Sequence, residues 1–254
     1  MLEVSNLGVE FGGVIALADV SFAVRPGTIT SLIGPNGAGK TTAFNAITGY
    51  LRPSRGRVSW QGAPLAGRRP CEIARDGVVR TFQKTSVFPA LSVLDNVRTG
   101  LHLRAHARLG SILLGARHVR QEEARLVDAA REILAFIGLE RRRDELAGAL
   151  PYGEQRLLEL AIALAARPQL LLLDEPAAGM AGAERDRLIT LIRRVRDQQV
   201  TVLLVEHDMR LVMGISETVI VLNHGRVIAE GPPAEIRAHP EVIRAYLGVS
   251  SAPR

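Results

Sequence analysis

The chain has 254 residues, of which 47% are hydrophobic, 23% are charged and 4% are aromatic, and its net charge is +6. This length suits one large α/β domain, or one core with a smaller subdomain, around a mostly aliphatic interior. A membrane-spanning helix is excluded, because it needs about 20 mostly apolar residues in succession. Because Cys71 is the single cysteine, an intramolecular disulfide and a cysteine metal cluster are excluded as well.

The excess positive charge comes from arginine and has two interpretations. It could indicate a nucleic-acid or an anionic-membrane partner. We favour solvated surface arginines, because the clusters at residues 141–143 and 193–194 are short and have acidic neighbours. The first residues lack a basic segment followed by an apolar one, so we expect no secretory signal and a cytosolic chain.

The first quarter of the chain is predicted to contain strands on either side of a glycine-rich segment. Strand patterns cover residues 4–9, 20–24, 28–33 and 58–62, the last ending in a turn. The pattern at 28–33 predicts a short buried strand, and a helix is predicted over residues 41–48. The other strands form a β-rich flank.

The segment between this buried strand and this helix fits G-x-x-x-x-G-K-[ST], the pattern of a phosphate-binding P-loop. Its glycines let backbone N–H groups point at phosphate oxygens, and the positive N-terminal end of the helix faces the same place. Lys40 can reach the β- and γ-phosphates, and the Thr41 hydroxyl can ligate Mg²⁺. The predicted nucleotide-binding residues here are Gly34, Pro35, Asn36, Gly37, Ala38, Gly39, Lys40, Thr41 and Thr42.

From about residue 84 to residue 152 the chain becomes helical in pattern and rich in Leu, Ala and Arg. Apolar residues recur on one helical face between Glu122 and Ile137, and Gly138 is typical of the position that follows a helix. We therefore predict a helical insertion within an α/β core.

The α/β pattern then resumes with an all-apolar run at residues 170–173, typical of a strand in a parallel sheet covered on both faces. An amphipathic helix is predicted over 184–199, a buried strand over 200–205 and a hairpin over 218–230. Pro233 is predicted to begin a final helix.

Two acids, Asp174 and Glu175, directly follow the strand at 170–173. Such a strand ends at the edge where open α/β sheets bind ligands. Asp174 can hold Mg²⁺ directly or through water, and Glu175 can orient and deprotonate an attacking water, which is worth about 10²- to 10⁴-fold in rate. We prefer this interpretation to a solvated acidic turn because a P-loop accompanies the pair.

In this order, the motifs resemble those of the ATP-binding cassette (ABC) ATPases over about residues 2–248. Thr81-Phe82-Gln83 resembles the family's Q-loop, and Glu206-His207-Asp208 resembles its switch histidine. Residues 150–156, LPYGEQR, resemble its signature motif, and Phe11 occupies the position of the aromatic that stacks on adenine. The resemblance implies catalytic roles for Lys40, Gln83, Glu175 and His207, metal contacts from Thr41, Gln83 and Asp174, and nucleotide contacts from Phe11, Tyr152, Gly153 and Glu154.

The resemblance also implies that ATP and Mg²⁺ are the cofactors and that the chain works as half of a dimer. The signature helix would offer its free N–H groups to the γ-phosphate of ATP on the partner cassette. Pro151 replaces the usual signature serine, and Ala181 stands where the D-loop usually has aspartate. One phosphate contact and one side chain at the dimer interface are thereby lost, but we still predict hydrolysis at this chain's P-loop.

The implied fold is α/β, with a RecA-like P-loop NTPase core, an N-terminal antiparallel β-subdomain and a helical insertion subdomain. We expect one ABC ATPase domain over residues 1–254. Within it, the nucleotide-binding core and β-flank are expected at 1–83 and 156–250, and the helical subdomain at 84–155, ending in the signature motif.

Among ABC ATPases, the chain most resembles the ATP-binding subunit of branched-chain amino acid importers. The resemblance rests on residues 11–17, 174–179, 206–216 and 240–248. It implies two membrane permeases, a periplasmic binding protein and a second, related ATPase as partners, and a position on the inner face of the cell membrane. Residues 80–94, with apolar Val87, Phe88 and Leu91, would meet the permease, although packing within the insertion is an equal alternative for each side chain.

Three alternatives stay open. An ABC ATPase for urea or amide uptake, or for lipopolysaccharide export, would carry the same motifs, because its substrate contacts lie in other chains. A soluble ABC ATPase acting on nucleic acid usually has two cassettes or long coiled-coil insertions, so we expect no nucleic-acid partner. A regulatory nucleotide-binding module with slow turnover is suggested by Pro151 and Ala181.

Overall fold

A computed structural model describes residues 1–81, 87–101 and 117–247 of the protein. The strands are β1 (Leu2–Phe11), β2 (Val14–Val24), β3 (Ile29–Ile33), β4 (Arg55–Trp60), β5 (Ala63–Pro64), β6 (Val78–Arg80), β7 (Leu170–Asp174), β8 (Thr201–Val205), β9 (Thr218–Asn223) and β10 (Arg226–Gly231). The α-helices are α1 (Lys40–Ile47), α2 (Pro70–Arg75), α3 (Val93–Leu101), α4 (Arg117–Ile137), α5 (Tyr152–Ala165), α6 (Gly182–Asp197), α7 (Met209–Ile215), α8 (Pro233–Ala238) and α9 (Pro240–Leu247). Each strand that the sequence predicted is confirmed, and β1 and β2 are longer than expected.

The strands form two sheets in the described ranges. One has the order β10-β9-β3-β8-β7-β6 and is parallel except for its edge strand β10. The other is antiparallel, with the order β2-β1-β4-β5. Because β3, β7 and β8 run parallel in one sheet, the residues that follow them leave at the same carboxyl edge. The predicted α/β fold with an antiparallel β-flank is confirmed.

Strand β9 separates two apolar cores by the alternation of its side chains. Ile220 and Leu222 belong to the core that the antiparallel sheet and α1 share with the parallel sheet. Val219 and Val221 belong to a second core, which includes residues of α7, α8 and α9. The C-terminal helices are therefore packed against the parallel sheet.

The chain divides into two compact units. The first contains Met1–Arg80, Gln169–Ala177 and the described part of Ile189–Arg254, and the second contains the described part of Thr81–Pro168 together with Ala178–Leu188. Both sheets lie in the first unit, whereas α3, α4 and α5 lie in the second. In the described ranges, every helix is too short or too polar to span a bilayer.

The second unit extends further along the chain than the predicted helical subdomain at 84–155. Its helices α3, α4 and α5 pack against one another. A Cβ atom at Gly100 of α3 would overlap the carbonyl oxygen of Ile162 in α5, so the two backbones approach closely at this glycine. The expected boundary falls inside α5, and the packing of this helix keeps all of it with α3 and α4.

The C-terminal region corrects one prediction, because two helices replace the single helix expected from Pro233. His239 separates α8 from α9 in an extended conformation, with φ −71° and ψ 121°. The ring of Pro240 explains the break, since a proline disfavours a helical conformation in the residue before it. The sequence did not predict α2, β6 or α7, which are too short to show a clear period.

Candidate functional site

The P-loop connects β3 to α1 and is held from two sides. Gly39 has φ 102°, and a Cβ atom there would lie 2.6 Å from Leu17 Cδ2 and 2.8 Å from the carbonyl oxygen of Ala16. Strand β2 therefore packs directly on the loop, and only glycine fits at this position. From the β9–β10 turn, the Gly225 N–H donates to the Ala38 carbonyl oxygen at 3.0 Å.

The predicted phosphate-binding residues, 34–42, all lie in this loop and in the first turn of α1. The N–H groups of a helix's first turn have no partner within the helix and carry its positive end. Asn36 and Gly37 are exposed, whereas Gly34 and Ala38 are buried. The loop is thus anchored at buried positions and open between them.

Lys40 is directed into its own loop. Its Nζ atom donates to the carbonyl oxygens of Gly34, at 2.7 Å, and Pro35, at 3.1 Å. Burial lowers the pKa of Lys40 below its ordinary value, although the negative charges of Glu175 and Asp174 act in the opposite direction. The cationic form is therefore partly desolvated, which favours an anion such as a phosphate as a further partner.

Asp174, at the end of β7, is paired with Arg80, at the end of β6. Arg80 Nη2 lies 2.7 Å from Asp174 Oδ2, and both side chains are buried. Arg80 also donates through Nη1 to Asn45 Oδ1 at 2.6 Å and lies over the ring of Phe44. These contacts fix the orientation of the Asp174 carboxylate.

The predicted Mg²⁺ contacts fit this arrangement. Asp174 Oδ1 is buried and has no hydrogen-bond partner among the described atoms, so it can still accept from a metal ion or its water. The described ranges contain no group of three or more His, Cys, Asp or Glu side chains that could hold a metal alone. One carboxylate and the Thr41 hydroxyl, completed by substrate phosphates, is a donor set that suits Mg²⁺.

Glu175 has a backbone conformation that is uncommon for a residue with a side chain, at φ 48°. Its N–H donates to the carbonyl oxygen of Val205, the last residue of β8, at 2.9 Å. His207 Nδ1 lies 4.0 Å from Glu175 Oε2 and 3.8 Å from Glu206 Oε2, and the His207 side chain is exposed. The first unit therefore brings Lys40, Glu175 and His207 to the carboxyl edge of one sheet.

Glu206 is a structural residue of this edge that the sequence had marked only as part of the switch motif. It is 1% exposed. Its Oε1 atom accepts from the N–H of Ala177 at 2.9 Å, and its Oε2 atom accepts from the N–H groups of His207 and Asp208 at 3.1 and 3.4 Å. One carboxylate thereby connects the segments that follow β7 and β8. The signal that could have found it is an acid placed directly after a buried strand, as with Asp174.

The signature residues begin α5 in the second unit. Pro151 is the N-cap, with φ −54° and ψ 150°, so the proline is compatible with the helix start. The Tyr152 hydroxyl donates to the Ala178 carbonyl oxygen at 3.1 Å. Gly153 is buried, and the Glu154 carboxylate lies 2.8 Å from Arg142 Nε. Glu154 thus already has an ion-pair partner within its own unit.

The predicted adenine contact, Phe11, lies at the end of β1. It pairs with Val14 across the β1–β2 hairpin and is 49% exposed, so its ring is accessible for stacking. Val14 and Ile15 are also exposed, and no sequence motif had selected them as site residues. The predicted Q-loop glutamine, Gln83, lies outside the described residues.

The C-terminal helix α9 contacts the P-loop, which the motif pattern did not predict. Burial raises the pKa of the Tyr246 phenol above its ordinary value, and a backbone hydrogen bond from Gly34 opposes this rise. Tyr246 also lines a groove of about 490 Å³ with Met209, Met213, Ile236 and Val242. The first glycine of the P-loop is thus in contact with the end of the described chain.

Comparison with known proteins identifies the family. A family model described as "ABC transporter" matches residues 17–178, which is more than half of the chain. The chain belongs to the ABC transporter family. A second model, described as "Branched-chain amino acid ATP-binding cassette transporter", matches residues 226–252, the segment that contains α8 and α9.

The relatives of this ABC protein match it along almost the whole length. The high-affinity branched-chain amino acid transport ATP-binding protein LivG of Salmonella typhimurium is 44% identical, over 98% of both chains. The corresponding protein BraF of Pseudomonas aeruginosa is 42% identical, also over 98% of both chains. A crystal structure of the ADP conformation of an ATP-binding cassette from an ABC transporter matches with a TM-score of 0.86 and 32% identity, over 98% of both chains.

Proposed function

We propose that the chain is the ATP-hydrolysing subunit of an importer for branched-chain amino acids. Relatives that carry this transport function in their names match nearly the full length, and the C-terminal segment matches a model of the same transport class. The observation that carries the proposed ATP hydrolysis is structural: Lys40, Asp174, Glu175 and His207 lie together at the carboxyl edge of the parallel sheet.

In this proposal the P-loop holds the triphosphate, Asp174 helps to hold Mg²⁺, and Glu175 activates the water that attacks the γ-phosphate. Backbone N–H groups and Lys40 bind the β- and γ-phosphates, while the ring of Phe11 stacks on adenine. Glu175 orients the attacking water and accepts its proton, and His207 lies within reach of the same carboxylate. The exposure of His207 leaves it accessible to a γ-phosphate.

Mg²⁺ would be held by Thr41, Asp174 and Gln83, together with phosphate oxygens. When bound, it neutralises charge on the phosphates and stabilises the charge that develops on the leaving group. The ion pair with Arg80 directs Asp174 so that Oδ1 remains available.

We further propose that the chain works in a dimer of cassettes on the cytoplasmic face of the membrane. The chain carries one P-loop and one signature motif, and Tyr152, Gly153 and Glu154 would face the nucleotide bound by the partner cassette. Separate permease subunits and a periplasmic binding protein would supply the transport pathway. Nucleotide-dependent pairing of the cassettes would then drive the permease between two conformations, because ATP and ADP make different contacts.

Reconstitution tests this proposal. The chain is purified with its permeases and partner ATPase, placed in proteoliposomes, and assayed for phosphate release with the binding protein and a single solute. We expect leucine, isoleucine or valine to stimulate turnover, and urea and short amides to leave it unchanged. Stimulation by urea alone, or turnover that ignores every solute, would refute the assignment of an amino acid importer.

A further inference from the structure

The first turn of α5, the signature helix, makes side-chain contacts with the D-loop, which is residues 177–181. The Tyr152 hydroxyl donates to the Ala178 carbonyl oxygen at 3.1 Å and accepts from Arg156 Nε at 2.9 Å. Gly179 has φ 76°, and a Cβ atom there would lie 3.0 Å from Tyr152 Cε1. The tyrosine ring therefore lies against the backbone of the loop at a glycine.

Arg156 fixes the position of the tyrosine from the helix side. Its guanidinium carbon lies 5.2 Å from the centre of the Tyr152 ring, and its Nη1 atom donates to Glu159 Oε2 at 2.9 Å. Arg156 and Glu159 both have side chains that are 7% exposed. Because this pair is buried and hydrogen-bonded, it restricts Arg156 and thereby the phenol that Arg156 contacts.

A second contact joins the other end of the same loop to the same helical turn. Glu184 Oε2 accepts from the Ala181 N–H at 3.0 Å. The other carboxylate oxygen, Oε1, occupies the open side of Gly153, in the space that a Cβ atom would take. Residues 178–181 are thus held at one end by the Tyr152 hydroxyl and at the other by Glu184, whose carboxylate lies against Gly153.

The division of the chain into units agrees with these contacts. Residues 178–188 group with the helical unit, although the segments that flank them in sequence, 169–177 and from 189 onward, group with the sheets. The usual carboxylate of the D-loop is replaced by Ala181, and the usual signature serine by Pro151. The position of the loop is therefore set by side chains from outside it.

We propose that Tyr152 is a positioning residue. It holds the first turn of α5 and residues 178–181 together, so that the two segments move together. This inference rests on the proposed pairing of two cassettes, in which both segments face the partner. A change at either segment then moves the other, and the partner's nucleotide meets a preassembled surface instead of two independent loops.

Amide hydrogen exchange on the full-length chain tests the contact directly. Tyr152→Phe removes only the hydroxyl, and we expect exchange at the Ala181 N–H to become about fivefold faster, the loss of one ordinary hydrogen bond. Tyr50→Phe, which removes a phenol oxygen from another exposed tyrosine, is the matched control and should leave residues 178–184 unchanged. Glu184→Ala should accelerate the same amide. Unchanged exchange at the Ala181 N–H in Tyr152→Phe, with faster exchange in Glu184→Ala showing that the amide responds, would overturn the proposal.

A measurement of cassette pairing distinguishes a failure of this inference from a failure of the proposed function. In a Glu175→Gln background, ATP should produce a stable dimer, and adding Tyr152→Phe should weaken that dimer about tenfold. If Glu175→Gln pairs and Tyr152→Phe has no effect, the positioning role is wrong. If Glu175→Gln itself never pairs, the proposed dimer is wrong, and the exchange measurement still decides the contact.

Discussion

Arg80 and Asp174 form a buried ion pair at the carboxyl edge of the parallel sheet, with Nη2 2.7 Å from Oδ2. Arg80 ends β6 and immediately precedes Thr81-Phe82-Gln83, whereas Asp174 ends β7 and precedes Glu175. The pair therefore joins the strand that leads to the predicted Q-loop to the strand that presents the acids. One oxygen of Asp174 is engaged by the pair, and the other stays available to a metal ion.

Breaking this pair should be costly to stability. Arg80→Met leaves the Asp174 carboxylate buried without its cation, and such losses typically cost about 3–5 kcal/mol in the free energy of unfolding. The measurement is urea denaturation of the purified chain. Arg68→Met removes one partner of a solvent-accessible pair with Asp76 and is the matched control, with an expected cost of about 0–1 kcal/mol. Equal losses in the free energy of unfolding of the two variants would show that Arg80 does not stabilise the buried Asp174 carboxylate.

Glu175→Gln should strongly reduce turnover while nucleotide binding persists. The amide keeps the size and the backbone conformation of the residue but cannot accept a proton, so we expect phosphate release to fall about 10²- to 10⁴-fold in the assembled complex. Glu10→Gln, at an exposed position of β1, provides the control for loss of one carboxylate. Phosphate release near the wild-type rate in Glu175→Gln would assign the general base to another group.

The parts of the site that follow local rules could be predicted from sequence. The P-loop has a fixed spacing between a strand and a helix, and Asp174 and Glu175 follow an all-apolar run, so each appears in a short window. Two long-range contacts of these groups could not be predicted in this way. Arg80 is 94 residues from Asp174, and Tyr246 is more than 200 residues from Gly34 in the chain. Only the order of strands in the sheet and the packing of α9 bring them together.

The limits of the fold prediction have a similar cause. The buried strands were found because their side chains are apolar on both faces. The second unit contains all of α5 because this helix packs closely on α3, where a Cβ atom at Gly100 would overlap the carbonyl oxygen of Ile162. The break at His239 follows from Pro240, because a proline disfavours a helical conformation in the residue before it.

Two glycines of the P-loop, Gly37 and Gly39, should respond differently to the same substitution. Gly37 has φ 80°, and a Cβ atom there would have no described atom within 4 Å, so Gly37→Ala should cost only backbone strain, about 1–2 kcal/mol. Gly39→Ala adds overlap with Leu17 and Ala16, which should raise the total by about a further 1–3 kcal/mol. Thermal unfolding of both variants measures the difference. A smaller cost at Gly39 than at Gly37 would mean that β2 does not press on the loop.

Lys40 should give the free energy of unfolding a pH dependence in the alkaline range. Burial lowers its pKa in the folded chain, whereas the unfolded chain titrates near the ordinary value of 10.5. Between these two values the unfolded state binds more protons, so stability rises with pH; below both values the desolvation of the cation opposes folding in full. Urea unfolding of wild type and Lys40→Met, measured from pH 7 to pH 10.5, isolates this contribution. The stability of wild type relative to Lys40→Met should increase with pH, and Lys40→Arg, which stays charged throughout, should show no such increase relative to Lys40→Met. A wild-type difference that stays flat or falls over this range would mean that the Lys40 ammonium is not desolvated in the folded loop.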